Sequence, residues 1–196
     1  MTALNPFTLL ANLDRVPPGN GYKDDIIISP NDFRANDGTS LPTGSGNEQI
    51  VISSSQLSVF LAASALSTAY LGIAIPGRYD ASPKRASTVD RFADGDYCKL
   101  RLLCKNSTSG SRSLAVHLGC ARDAALTAFT APADITKSIT GTSLAWYEFD
   151  FGGSLVLPRD ILTFRVRGAN AAGDISIYGG VLAFRNNLVN FRTTDR

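Results

Sequence analysis

The sequence is poor in the residues that carry out chemistry in most metalloenzymes and redox proteins. Its 196 residues include one histidine, one methionine, one tryptophan and three cysteines. A hydrolytic triad based on histidine would have to use His117, and nothing in the sequence places a serine and a carboxylate beside it. The sequence contains no Walker, dinucleotide-binding or GxSxG motif. These absences argue against an enzyme, and we expect no cofactor.

Charge is also scarce, and it is almost balanced. The chain has 19 Lys and Arg against 17 Asp and Glu, a formal net charge of +2. Such a balance is too small to hold a nucleic acid through a net field, and no Lys/Arg-rich arm is present. The N-terminus, MTALNPFTLLANLDR, has no basic segment and carries Asn and Pro among its apolar residues, so a secretory signal is not predicted.

One uncharged stretch, Leu57 to Ile75, is long enough to cross a bilayer. Its Ser and Thr residues, its excess of Ala over Leu and its flanks without Trp or a Lys/Arg cluster argue against a membrane helix. We predict instead a short helix near Leu57–Leu66, capped from Ser53–Ser55, and a buried strand over Ala69–Ile75. Membrane anchoring through this stretch is the alternative, and solubility without detergent would test it.

The rest of the sequence alternates short β-branched or aromatic runs with turns of Gly, Pro, Asn and Asp, a rhythm typical of a β-sandwich. We predict an all-β fold with a single sandwich of jelly-roll type over residues 25–185. Residues 1–24 are predicted to form an extended arm and residues 186–196 a tail. Gly179-Gly180 is predicted to form a β-bulge. The predicted strands are Asp25–Ser29, Glu48–Ser53, Ala69–Ile75, Tyr97–Lys105, Ser113–Cys120, Leu144–Phe151, Ile161–Arg167 and Asp174–Arg185.

All three cysteines and the histidine lie between Tyr97 and Cys120, so this segment decides whether a metal or redox site exists. Side chains alternate between the two faces of a strand, which predicts a buried face on each of two strands. We predict that the two strands form a hairpin centred on Ser109, with Cys98 opposite Cys120. The predicted buried residues are Cys98, Leu100, Leu102 and Cys104 on the first strand and Leu114, Val116, Leu118 and Cys120 on the second.

This alternation argues against a zinc site. Cys98 and Cys104 would lie roughly 20 Å apart along one strand, too far to share a metal. His117 faces away from the thiols, and we expect it beside Lys99 or Arg101. The odd number of cysteines favours buried thiols, although a Cys98–Cys120 disulfide stays open.

Two further motifs have an ordinary explanation beside a functional one. The segment Asp94-Gly95-Asp96 could offer oxygens to calcium, but it lacks the remaining ligands of a calcium loop and is typical of a tight turn. The triplet Asn106-Ser107-Thr108 matches a glycosylation site, which matters only in a secreted eukaryotic chain. We therefore predict no metal site.

The segment LAWYEFDF, Leu144–Phe151, carries the candidate ligand-binding residues. Alternation points Tyr147, Phe149 and Phe151 to the core and leaves Trp146 outside, with Glu148 and Asp150. An exposed tryptophan beside carboxylates suits stacking against a sugar, although a tryptophan covering a sheet edge is the plainer explanation. If Ile161–Arg167 pairs with this strand, Arg165 and Arg167 would form a charge ladder with it.

The arm and tail carry the candidate subunit contacts. Apolar side chains in an irregular arm are unfavourable in water, so they are expected to contact a neighbouring subunit. The tail is expected to dock in the same way. The candidate contact residues are Phe7, Leu9, Leu10 and Leu13 in the arm and Phe191 and Arg192 in the tail.

The closing run GSLVLPRDILTFRVRGANAAGDISIYGGVLAFRNNLVNFR resembles the bent closing strands of viral and phage jelly-roll structural proteins. The resemblance includes capsid subunits and the decoration or cement proteins on capsids, and by strand rhythm it covers residues 48–185. It implies a virion protein that forms a homo-oligomer, often a trimer, and contacts other capsid proteins. The missing basic arm favours a decoration protein, or an arm that clasps neighbouring subunits. The protein would lie in the virion, or be soluble, secreted or in the host cytoplasm during assembly.

The same closing strands also look like those of carbohydrate-binding sandwiches. The alternative to a virion structural protein is therefore a carbohydrate-binding or receptor-binding module that uses Trp146, with a glycan as partner.

Overall fold

The computed structural model describes residues 23–44, 46–53, 55–63, 67–75, 98–121, 133–151, 160–168 and 173–185. Within these ranges the chain forms strands and one short 3-10 helix, Pro30–Asp32. The strands are β1 (Lys23–Ile28), β2 (Phe33–Arg34), β3 (Glu48–Ser53), β4 (Gln56–Leu61), β5 (Thr68–Ala74), β6 (Cys98–Asn106), β7 (Ser111–Ala121), β8 (Ile135–Thr140), β9 (Ala145–Asp150), β10 (Ile161–Gly168) and β11 (Ile175–Arg185).

The strands form two antiparallel sheets that pack face to face. Sheet A has six strands in the order β3-β4-β11-β6-β9, and β1 also pairs with β11. Sheet B has five strands in the order β2-β5-β10-β7-β8. The predicted fold class, a single all-β sandwich of jelly-roll type, is confirmed.

The core lies between the sheets and is built from alternate residues of each strand. Strand β10 shows the pattern most clearly, because every second side chain from Leu162 to Val166 has no exposed surface. Burying a large aliphatic or aromatic side chain contributes about 1.5–3 kcal/mol, so this alternation is the main stabilising feature of the sandwich. Seven of the eight residues predicted to be buried in the cysteine-bearing strands are buried, namely Leu100, Leu102, Cys104, Leu114, Val116, Leu118 and Cys120. The side chain of the eighth, Cys98, lies outside the described residues.

The predicted hairpin between the cysteine-bearing strands is wrong. Strand β6 lies in sheet A between β11 and β9, whereas β7 lies in sheet B between β10 and β8. Cys98 is opposite Phe184, and Cys120 is opposite Leu162, so the pairing that a Cys98–Cys120 disulfide would need does not form. Both strands do bury one face, but these faces meet across the core. Alternation alone cannot distinguish two strands that face each other from two that pair side by side.

The uncharged stretch from Leu57 to Ile75 contains two strands of different sheets. The predicted short helix is wrong, because Leu57 to Leu61 belong to β4, while the predicted strand over Ala69–Ile75 is confirmed as β5. Val59 and Leu61 are fully buried against the core, a two-residue spacing that only a strand can use. No helix within the ranges given above has the length and apolar character that a membrane crossing requires.

The bulge predicted at Gly179-Gly180 is confirmed. The register of β11 with β6 shifts between Ile177 and Gly179, which leaves Tyr178 as the extra residue. Gly179 has φ +140°, and a Cβ there would lie 2.8 Å from the carbonyl oxygen of Ile28, so only glycine fits. The bulge leaves Tyr178 half-buried beside Lys105 on the outer face of sheet A.

Arg112 is a charged side chain with no exposed surface, at the start of β7 in sheet B. Its Nη1 donates hydrogen bonds to the carbonyl oxygens of Leu61 in sheet A, at 2.8 Å, and of Gly173, at 2.6 Å. Burial lowers the pKa of Arg112, and the nearby charge of Asp174 acts in the opposite direction. Arg112 therefore ties the two sheets together through the core.

The asparagine of the glycosylation triplet, Asn106, has a buried side chain that stabilises the connection between β6 and β7. The Asn106 side chain is fully buried, and its Nδ2 donates to the carbonyl oxygen of Gly110 at 3.0 Å. Its amide nitrogen is therefore inaccessible to a modifying enzyme unless this connection between β6 and β7 unfolds.

Candidate functional site

The outer face of β9 carries the candidate ligand-binding residues. Phe149 is fully buried, whereas Trp146, Glu148 and Asp150 point outward, as alternation predicted. The Trp146 side chain is a large apolar group with 49% of its surface exposed. Trp146 therefore lies on the open face of sheet A and does not fill the core.

Strand β6 supplies the charged partners of this face. Leu103 is opposite Trp146, Arg101 is opposite Glu148, and Lys99 is opposite Asp150. The Lys99 Nζ lies 3.0 Å from Glu148 Oε1 and 3.5 Å from Asp150 Oδ2. The Arg101 guanidinium carbon lies 5.5 Å from the centre of the Trp146 ring, a cation–π geometry.

The charge ladder predicted with Arg165 and Arg167 is wrong. Both arginines lie in β10 of sheet B, whereas β9 pairs with β6 in sheet A. The alternation of charges along β10 correctly indicates an outward face. It contains no information about which strand is adjacent, and that choice depends on the topology of the whole sandwich.

Two further aromatic side chains share the outer face of sheet A. Tyr178 of β11 has the Lys105 Nζ 5.3 Å from its ring centre. Phe60 of β4 is half-buried and lies opposite Ser176 of β11, on the face away from buried Val59 and Leu61. Because β9 and β11 are two strands apart, Trp146 and Tyr178 lie roughly 10 Å apart across the sheet.

This arrangement is suited to a ligand with alternating apolar and hydroxyl surfaces. Aromatic rings can stack on the C–H face of a sugar, and nearby charged groups can hydrogen-bond its hydroxyls. Sequence analysis missed Tyr178 and Phe60. Tyr178 could have been identified from its position directly before the predicted Gly179-Gly180 bulge. Phe60 could not, because it lies in the stretch that was interpreted as a helix.

A polar cluster lies on the outer face of sheet B, around Asp134. The Asp134 Oδ1 lies 2.9 Å from His117 Nδ1 and 3.4 Å from Arg165 Nη2. Its Oδ2 accepts a hydrogen bond from Arg167 Nη2 at 2.9 Å. The expectation that His117 lies beside Lys99 or Arg101 is wrong, because those residues belong to the other sheet.

The environment of Asp134 shifts its pKa. Burial alone raises the pKa of Asp134, but the hydrogen bond with His117 and the charges of Arg165 and Arg167 together outweigh burial, and the pKa is lowered. Because the folded-state pKa is the lower one, the ionised carboxylate stabilises the fold above its unfolded-state pKa of about 3.9. That contribution is lost as the pH falls through the folded-state pKa.

We expect Asp134→Asn to lower the free energy of unfolding by about 1 kcal/mol at pH 7, since three partly exposed partners lose their anion. The difference between variant and wild type should begin to shrink as the pH falls below about 4, where the carboxyl group of the unfolded chain takes up a proton, and should vanish below the lower folded-state pKa. Urea unfolding at pH 7 and pH 3 measures this difference. A difference that stays constant between the two pH values would contradict the assignment.

The remaining candidates have the following positions. His117 lies on the outer face of sheet B, whereas Cys104 and Cys120 are buried, so histidine and thiols face apart as predicted. In the described ranges no three His, Cys, Asp or Glu side chains are grouped to hold a metal. The calcium candidate Asp94-Gly95-Asp96 lies outside the described residues. The same is true of the predicted subunit contacts, Phe7, Leu9, Leu10, Leu13, Phe191 and Arg192.

The chain matches no protein-family model and no curated protein. It is similar to several solved structures. A xylan-binding module, CBM15, has 12% identity and a TM-score of 0.52, covering 83% of this chain and 97% of that chain. The CBM36-1 domain of a multidomain xylanase from the hindgut metagenome of Trinervitermes trinervoides has 12% identity and a TM-score of 0.48, covering 81% and 96%.

A third similar structure is the Clostridium thermocellum xylanase 10B chain with CBM22-1 and GH10 modules, complexed with xylohexaose. It has 12% identity and a TM-score of 0.42, over 84% of this chain and 25% of that chain. This chain therefore spans a quarter of the length of that protein. At such identities, the comparison with the CBM15 module shows a shared fold.

The resemblance to viral and phage jelly-roll structural proteins is wrong. The CBM15 module, whose fold this chain shares, is a carbohydrate-binding module, and it gives no support to capsid partners, a homo-oligomer or a place in the virion. Strand rhythm and a bent closing strand belong to the sandwich architecture, which unrelated functions share. The pattern in the closing run therefore could not separate the two classes.

Proposed function

We propose that this chain is a carbohydrate-binding module that holds a glycan across the outer face of sheet A. The contacts come from Trp146 on β9, Tyr178 on β11 and the charged side chains between them. The CBM15 module, which shares the sandwich fold, is described as xylan-binding, so xylan is the first ligand to test.

The exposure and setting of Trp146 carry this proposal. About half of its surface is in water, although an indole ring gains free energy when it is buried. Leu103 lies opposite Trp146, and Arg101 lies over its ring, so the indole is held in place before any ligand arrives. A rigid, exposed aromatic ring loses little side-chain entropy when it stacks on a sugar.

The charged side chains around Trp146 would supply polar contacts. Lys99 holds both Glu148 and Asp150 in ion pairs, so the carboxylates are already oriented. Their side chains are 45% and 38% exposed, which leaves oxygens open to sugar hydroxyls. We infer binding and not hydrolysis, because both carboxylates lie on the outer face of β9 and are already paired with Lys99, so neither is set apart as a proton donor.

We expect Trp146→Ala to weaken binding to soluble xylan about tenfold or more, because the stacking surface is lost. Trp146→Phe should lose less, since a smaller aromatic face remains. Isothermal titration calorimetry, or affinity electrophoresis with xylan in the gel, measures the change.

The matched control is Ile161→Ala, which removes an exposed apolar side chain from the other sheet. It should bind xylan like the wild type. If wild-type protein binds none of the polysaccharides on a broad glycan array, or if Trp146→Ala binds as well as Ile161→Ala, the proposal is wrong. Thermal unfolding of each variant confirms that the fold is intact.

A further inference from the structure

The outer face of sheet B presents a row of basic and polar side chains across four strands. Arg34 of β2 is opposite Tyr70 of β5, Tyr70 is opposite Arg165 of β10, and Arg165 is opposite His117 of β7. Arg167 lies two residues along β10 on the same face. Adjacent strands are about 4.8 Å apart, so these groups lie within one small area.

The positive charge in this area exceeds what its carboxylate can neutralise. Asp134 receives one nitrogen from each of Arg165 and Arg167, and also contacts His117. Arg34 uses its Nη1 on backbone carbonyl oxygens instead. Three arginines and one aspartate leave these side chains with more positive than negative charge. A network that served only to fasten the strands would be expected to pair each arginine with an acid.

The arginines also retain unused hydrogen-bonding capacity. The Nε atoms of Arg165 and Arg167 are buried without a partner among the described residues, so the capacity that a ligand can reach lies in the exposed part of each guanidinium. Each guanidinium contacts Asp134 through one Nη atom, while the side chains are 36% and 44% exposed. The two planar groups therefore lie side by side around one carboxylate, with part of each facing water, a geometry that suits an oxyanion.

The surface next to these arginines is flat. Thr163 lies between Gly72 and Gly119 in the adjoining row, and a Cβ on Gly72 would meet no atom within 4 Å. A long ligand could therefore lie along this row without displacing a side chain of the described residues, while its acidic groups reach the arginines.

We propose that the outer face of sheet B is a second binding surface, which takes the carboxylate or sulfate groups of an acidic polysaccharide between Arg165 and Arg167. A nucleic acid is the less suitable ligand, because its affinity depends on many phosphate contacts and this area offers three arginines. The inference rests on the proposed function only in taking a polysaccharide as the ligand.

The test uses polygalacturonate for carboxylate, dextran sulfate for sulfate and xylan as a neutral polymer, each at 150 mM salt. Wild-type protein should bind at least one acidic polymer, and the more tightly bound one identifies the acidic group. The double variant Arg165→Gln and Arg167→Gln should weaken that binding about tenfold or more. Lys137→Gln, which removes an exposed positive charge from β8, is the matched control and should bind like the wild type.

Asp134→Asn should change the affinity for the acidic polymer in the direction opposite to the double arginine variant. It frees two guanidinium nitrogens and removes the competing anion, so binding of the acidic polymer should tighten about threefold or more. A merely structural role would lower stability without tightening binding. The proposal is overturned if neither acidic polymer binds, if Lys137→Gln weakens binding as much as the double variant, or if a single-stranded oligonucleotide binds more tightly than both.

The proposals for the outer faces of sheet A and sheet B can be tested independently. Trp146→Ala should leave the binding of acidic polymer unchanged while it weakens the binding of xylan. The double arginine variant should do the reverse. Loss of xylan binding alone would therefore bear on sheet A, and loss of acidic-polymer binding alone would bear on sheet B.

Discussion

Replacing Arg112 by alanine is expected to lower the free energy of unfolding by about 4 kcal/mol. The change removes the donor to the carbonyl oxygens of Leu61, which is buried, and of Gly173, which is partly buried. It also opens a cavity in the core and removes the positive charge near Asp174. Urea unfolding followed by tryptophan fluorescence measures the loss.

Two further variants separate the causes. Arg112→Met keeps most of the volume but none of the donors, so it should cost about half as much as Arg112→Ala. Arg101→Ala removes an arginine from the surface of sheet A and should cost less than about 1 kcal/mol. If Arg112→Ala were as mild as Arg101→Ala, Arg112 would not be the tie between the sheets.

Gly168→Ala is expected to lower the free energy of unfolding by about 3 kcal/mol. Gly168 ends β10, and the guanidinium of Arg112 packs directly against its Cα. A Cβ there would lie 2.5 Å from Arg112 Cζ and 2.8 Å from its Nε, closer than atoms can approach. The buried guanidinium cannot move aside without breaking its hydrogen bonds to both carbonyl oxygens.

A double-mutant cycle tests this cause directly. With alanine at position 112, the obstruction is absent, so Gly168→Ala should then cost less than about 1 kcal/mol. Gly72→Ala, in the adjacent strand β5 with open space around its Cα, is the control and should be neutral or slightly stabilising. A cost for Gly168→Ala that is independent of Arg112 would place the clash elsewhere.

The fold class could be predicted because most strands bury one face. A period of two is visible wherever apolar residues alternate with polar ones, as in Ile161–Arg167, and those strands lie within two residues of their predicted bounds. Strand β8, Ile135–Thr140, was missed because it buries little beyond Ile139. Strand β4 was interpreted as a helix because its sequence, QLSVFL, carries no charge and ends in three consecutive apolar residues, which hides the period of two.

Strand pairing could not be predicted from the same pattern. The connection Ser107 to Gly110 is short enough for a hairpin, yet it takes the chain from sheet A to sheet B. The choice depends on which distant strands are available to pair. Strand β6 pairs with β11, for example, which lies about seventy residues later in the chain. The residues near β6 in the sequence therefore cannot predict that it pairs with β11.

The candidate site was partly visible in the sequence. Trp146 could be placed on an outer face because its neighbours alternate, but Tyr178 joins that face only through the bulge in β11. The roles of Asp134 and Arg112 could not be predicted from the residues next to them in the sequence. An arginine at the start of a strand is usually in water, and only the opposite sheet shows that Arg112 is buried.

The central position of β11 affects how the protein can be made. This strand pairs with β1, β4 and β6, so the central strand of sheet A is missing until residues 175–185 have been synthesised. Strand β1 must wait for residues 180–185 to emerge from the ribosome before it can pair. Such distant pairings slow folding and leave apolar strand faces open to other chains in the meantime. During synthesis β1 therefore stays unpaired until β11 has been released.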